Sequence, residues 1–152
     1  MADVFSVIYF QIVFAVKYRE ALIDPSWESD LYRYISGIAS QRGHKVYAIN
    51  GMPDHIHIFL SFKPAESLSD LVREIKVSSQ KFIVEQQYCN FKFQWQAGYG
   101  VFSYSEDKVS TVCNYIENQK AHHAKQSFKR EFEGFVNNAK VDFGRKEGFD
   151  YF

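Results

Sequence analysis

The segment His55 to Phe62, HIHIFLSF, constrains the fold more than any other stretch of the chain. Side chains alternate faces along a strand, so Ile56, Ile58, Leu60 and Phe62 form one unbroken apolar row. His55, His57, Phe59 and Ser61 must then point the other way. The first face reads as core. The second carries two of the chain's five histidines, and whatever uses them should lie over it.

The other elements can be placed around this strand. Residues 4–17 are a long β-branched and aromatic run, which predicts a central strand. Asp24 and Pro25 mark a helix start, Gly43 its end, and Trp27, Leu31, Tyr34, Ile35 and Ile38 its apolar stripe. Residues 44–49 read as a strand, and NGMPD as the turn into the histidine strand, which stops at Pro64. Ser67 and Asp70 open a second amphipathic helix with Leu68, Leu71, Val72, Ile75, Phe82 and Ile83 at helical spacing. FKFQWQAGYGVFSYS is a strand region interrupted by Gly98 and Gly100. A third helix is expected from about Glu106 to His123, and a short one from Ser127 with Phe128, Phe132, Phe135 and Val136.

Strand, helix, strand, strand, helix, strand is the split-βαβ order. It predicts an α+β, ferredoxin-like antiparallel sheet with additional C-terminal helices and a single domain over 1–152. The first two helices should cover one sheet face and leave the histidine face open. The ring-rich tail, about 141–152, is expected to dock on the core or on a partner.

Composition excludes some classes. The balance of 18 basic and 18 acidic residues argues against a bulk polyanion binder. Cys89 and Cys113 have neither metal spacing nor the number for a disulfide framework, as suits a reduced, cytoplasmic protein. The apolar start is too short and too interrupted by Gln11 to span a membrane, and no membrane association is expected.

Two imidazoles on one strand face, with about 7 Å between their Cα atoms, can hold a metal ion from a rigid scaffold. An ion needs at least a third ligand. On the third helix, Tyr115, Gln119 and His122 fall within about 60° of one another beside the apolar stripe. Taken alone, these residues also fit a pair of water-bonded imidazoles, a boundary aromatic and a solvated amide.

PDHIHIFL, FQWQAGYGVFSYS and YIENQKAHH followed by SFKREFEGF, with VFAVKYRE before the first helix, together resemble the single-tyrosine HUH transposases of the insertion-sequence 200-like group, REP-associated tyrosine transposase relatives included. The resemblance covers nearly the whole chain. It implies that His55, His57 and Gln119 ligate Mg²⁺ or Mn²⁺ and that Tyr115 is the nucleophile. It further implies an enzyme that cuts single-stranded DNA at hairpin-bearing ends, forms a 5′-phosphotyrosine and rejoins ends by attack of a 3′-hydroxyl. Such enzymes work as homodimers in which one subunit's tyrosine helix completes the other's histidine site.

KAHHAKQSFKR gathers Lys120, His122, Lys125, Lys129 and Arg130 without an acid and is the candidate for contacts to the DNA backbone. Tyr99 is the rival nucleophile, and Tyr99, Phe102 and Tyr104 are candidates for stacking on bases. Asp54 reads first as a turn cap and second as a partner for the histidines. The alternatives are a non-catalytic nucleic-acid-binding ferredoxin-like module, a domesticated relative that processes palindromes, and a metallohydrolase in which Tyr115 is structural.

Overall fold

A computed structural model of the chain describes residues 3–89, 92–123 and 127–138, the side chains of His122 and His123 excepted. Four strands, β1 (Tyr9–Ala15), β2 (Lys45–Met52), β3 (His55–Ser61) and β4 (Gly100–Tyr104), form an antiparallel sheet in the order β2-β3-β1-β4. Helices α1 (Glu28–Gln41) and α2 (Leu68–Glu85) supply the two crossovers. Three further helices follow: α3 (Val109–Glu117), α4 (Gln119–His123) and α5 (Phe128–Asn138). This is the α+β split-βαβ arrangement expected, with β1 central.

Register fixes the faces. Ile12 pairs with Ile58 and Phe14 with Ile56, so these side chains share one face with Leu60. That face packs on Leu31 and Ile35 of α1 and on Leu71, Val72, Ile75 and Ile83 of α2, which form the main core. On the other face Val13 lies opposite His57, and Ala15 opposite His55. The small side chains Val13 and Ala15 leave room for Phe128, Phe132 and Val136 of α5. Phe59 and Ala48 pack beneath Val112 and Ile116 of α3.

The open second face is therefore a corrected expectation. The C-terminal helices cover it, because α3 and α5 each carry an apolar stripe that matches the Val13, Ala15 and Phe59 surface. Both histidines are wholly buried as a result.

Other boundaries differ for local reasons. The first strand begins at Tyr9 rather than residue 4, since the ladder to β3 ends at the Tyr9–Ser61 pair, and Val4, Phe5 and Val7 are exposed. Asp24 caps a turn, accepting from the Ser26 N–H at 2.8 Å, and α1 starts only at Glu28. Ser67 is the true N-cap of α2, its hydroxyl accepting from the Asp70 N–H at 3.1 Å. Gly43 closes α1 with φ +93°, a conformation that favours glycine. The strand region after residue 91 keeps only a Val16–Trp95 bridge before β4. The single helix expected over 106–123 is instead a 3₁₀ turn at Glu106–Lys108, then α3, a break at Asn118, and α4. The tail from 141 onward lies outside the described residues.

Candidate metal and tyrosine site

The site is built where β1, β3, α3, α4 and α5 meet. Strand alternation delivers the His55 and His57 rings side by side, with centroids 5.2 Å apart. Each ring is held at its Nδ1. Asp54 Oδ1 lies 2.7 Å from His55 Nδ1, and Gln11 Nε2 lies 2.9 Å from His57 Nδ1. Gln11 is buried, and its carbonyl accepts from the Tyr104 hydroxyl at 2.9 Å. Phe128 of α5 stacks on His55 at 4.2 Å between centroids. The rings cannot swing, and both Nε2 atoms face the same small space.

Three side chains converge on that space. Gln119, at the start of α4, places Oε1 3.4 Å from His55 Nε2. Glu131 of α5 places Oε1 3.0 Å from His57 Nε2 and 3.5 Å from His55 Nε2. Its Oε2 accepts from the Gln119 amide at 3.0 Å and from the Tyr115 hydroxyl. Tyr115 and Gln119 meet here despite the break between them, as their helical spacing predicts. Tyr115 stands edge-on to His57, with centroids 6.0 Å apart.

The electrostatics follow from burial. Burial opposes a charged His55, but Asp54 and Glu131 on its two ring nitrogens outweigh it and hold its pKa above the ordinary imidazole value. Burial, and then the Glu131 carboxylate, push the Tyr115 phenol well above its ordinary value. The resting phenol is therefore firmly protonated.

The donor set suits a divalent ion. Ligating atoms of His55, His57 and Glu131 all lie within 4.8 Å of one another. Neighbouring ligands around an ion at about 2.1 Å sit about 3 Å apart, and Glu131 Oε1 and Gln119 Oε1 stand 3.0–3.5 Å from the imidazole nitrogens. Imidazole nitrogens with carboxylate and amide oxygens form a mixed set that takes Mn²⁺ and related ions. The Nδ1 partners supply the outer hydrogen bonds that metal-bound histidines usually have.

The remaining sequence candidates fall elsewhere. Tyr99 bonds Ser69 at 2.8 Å and packs on the main core, across the sheet from the histidines. Phe102 packs on Phe132 and Phe135, and Tyr104 bonds Gln11, so both rings serve the interior. Lys120 is tied to Glu28 at 3.0 Å, to Asn50 at 3.1 Å and to the Gly51 carbonyl. Lys129 and Arg130 are exposed on α5. Lys125 and the His122 side chain lie outside the described residues.

Sequence reasoning missed Glu131 and gave Gln11 no role at the site. A signal for each was present: Glu131 is an acid inside the Phe128, Phe132, Phe135 stripe, and Gln11 is the lone amide in a β-branched strand.

The family model for IS200-like transposases matches residues 4–119. The ISDra2 transposase TnpA of Deinococcus radiodurans is 28% identical over 115 residues, covering 72% of this chain and 82% of that protein. A crystal structure of a candidate transposase from D. radiodurans R1 superposes with a TM-score of 0.61 at 25% identity, covering 78% of this chain and 95% of the other. A REP-associated tyrosine transposase bound to a REP hairpin shares the fold, with a TM-score of 0.59 at 16% identity over 81% of this chain and 74% of that one. With a family match that spans most of its length and ends on Gln119, the chain belongs to the IS200-like transposases.

Proposed function

We propose that the protein nicks and rejoins single-stranded DNA through a covalent bond between Tyr115 and a 5′-phosphate, with metal assistance from His55, His57 and Gln119. One observation carries this reading. The Tyr115 hydroxyl bonds the same carboxylate that touches both histidine Nε2 atoms, so nucleophile and metal donors share one chamber.

The chemistry of each residue agrees. A protonated phenol is a weak nucleophile, so it must lose its proton as its oxygen attacks phosphorus. The P–O3′ bond breaks, the leaving 3′-oxygen takes up a proton, and the phosphotyrosine keeps the bond energy for rejoining. A divalent ion, Mg²⁺ or Mn²⁺, supplies charge neutralisation at the scissile phosphate when bound. His55 and His57 present fixed nitrogens to it, held by Asp54 and Gln11, while Gln119 offers an amide oxygen. The REP-associated transposase of the same fold holds a hairpin, which supports hairpin-bearing DNA as the substrate class here. Exposed Lys129 and Arg130 on α5 are the described cations from the basic run available to a DNA backbone.

A homodimer with composite sites is a second reading. In it the α3 and α4 helices of one subunit would bring Tyr115 and Gln119 to the partner's histidines, in place of the contacts they make within their own chain.

The test is adduct formation on hairpin-bearing single-stranded DNA with Mn²⁺. Wild type should form a covalent protein–DNA species, and Tyr115→Phe should form none while binding DNA almost unchanged. Cleavage by the Phe variant would remove the tyrosine mechanism and favour a metallohydrolase. Absence of any wild-type adduct would favour a binding module. In the same assay, mixing Tyr115→Phe with His57→Ala restores the adduct only if subunits share sites.

A further inference from the structure

We infer that Glu131 is itself a metal ligand, delivered by α5 as a fourth protein donor beside His55, His57 and Gln119. This rests on the metal reading above and extends it past residue 119, where the family match ends.

Burial is the first argument. A carboxylate with 3% exposure is costly to ionise unless its oxygens are matched by charge or by strong donors. Oε1 is spent on the two Nε2 atoms that would ligate an ion, at 3.0 and 3.5 Å. Those separations also match neighbouring ligand atoms around one ion, and a cation there would take the place of the ring protons that bridge the two imidazoles to Oε1.

Delivery is the second argument. Glu131 does not reach in from a loose loop. Phe128 and Phe132 flank it on α5 and pack on Val13 and Ala15, directly opposite the histidines across the β1–β3 ladder. The face of α5 that carries the Glu131 side chain is fixed by the same packing that stacks Phe128 on His55. Core packing therefore sets the carboxylate height above the sheet.

Charge is the third. Two neutral imidazoles and an amide leave a dication with its full charge in a buried chamber. One carboxylate halves that charge and still leaves the site positive toward a phosphate. The second oxygen, Oε2, stays on the Tyr115 hydroxyl and the Gln119 amide, so the ligand also positions the nucleophile.

The test is Mn²⁺ binding by the full chain without DNA, read as free Mn²⁺ by electron paramagnetic resonance. Wild type should bind one ion, and Glu131→Gln should bind at least about tenfold more weakly. The distant surface variant Lys81→Gln should match wild type. Glu131→Ala serves if the Gln variant does not fold; its affinity should also fall and be partly restored by millimolar acetate. Undiminished binding by either Glu131 variant, with binding lost in His55→Ala/His57→Ala, overturns the fourth-ligand assignment and leaves the metal reading standing. Wild-type binding by the double histidine variant overturns both.

Discussion

Asp54 illustrates how much the proposed metal site would owe to residues that never meet an ion. It sits in the turn before β3, yet its carboxylate lies 2.7 Å from His55 Nδ1 and fixes which nitrogen of the ring faces the chamber. Removing such a partner usually weakens metal binding 10–100-fold without removing a ligand. Asp54→Ala should show a loss of about that size in Mn²⁺ titrations, with the fold intact by circular dichroism. At this scale the sequence was legible where periodicity carries information. Alternation puts the two histidines on one face and one helical turn puts Tyr115 beside Gln119, while the roles assigned to them came from the family resemblance. Asp54, Gln11 and Glu131 were harder to read, because a turn Asp, a strand Gln and a helix Glu each have commoner local explanations. The turn before β3 decides it for Asp54, the β1–β3 pairing for Gln11, and the approach of α5 for Glu131.

Elements were legible in kind and order, less so at their ends. β1 is shorter than its apolar run because a strand needs a partner, and the ladder to β3 runs out at Tyr9. The helix after Glu106 breaks at Asn118, which no Gly or Pro signalled. The docking of α5 was not readable from its own stripe, since amphipathicity says that a face is buried but not against what. Gly100 on β4 shows how close that docking is. A Cβ there would stand 2.6 Å from Phe132 Cε2 and 3.3 Å from Phe102 Cε2. Gly100→Ala should cost about 1–3 kcal/mol in denaturant unfolding. By pushing Phe132 it should also shift Glu131, its neighbour, and lower Mn²⁺ affinity. Lost stability with unchanged metal binding would mean that α5 relaxes without moving its carboxylate.

Across the whole molecule, one sheet separates two interiors of different character: an aliphatic and aromatic core under α1 and α2, and a mixed layer of rings and polar groups under α3 to α5. The first is pinned at its rim by Glu66, which accepts from Arg42 Nε at 3.0 Å and contacts His44 Nε2 at 2.7 Å. The Arg42 hydrogen bond, outweighing burial and helped by His44, holds the Glu66 carboxyl below its ordinary value of 4.5. A depressed folded pKa contributes stability above the unfolded value, and that contribution disappears as pH falls through the folded one. Thermal melts should therefore show wild type ahead of Glu66→Gln at pH 6, with the gap closing below about 4.5. Net charge was the least informative whole-chain property, since 18 acids against 18 bases conceal where the cations of α5 sit.

The line from Tyr104 through Gln11 to His57 has one more consequence. An amide can present either its oxygen or its nitrogen to a ring, and a hydroxyl can give or take a proton bond. Gln11 offers its nitrogen to His57 Nδ1, and Tyr104 donates to the amide oxygen. If His57 held an ion through Nε2, its ring proton would sit on Nδ1, which would then require an acceptor. A half-turn of the Gln11 amide would turn its oxygen toward that proton and its nitrogen toward the Tyr104 hydroxyl. The three residues would then serve either tautomer of His57 through side-chain rotations alone, across β3, β1 and β4.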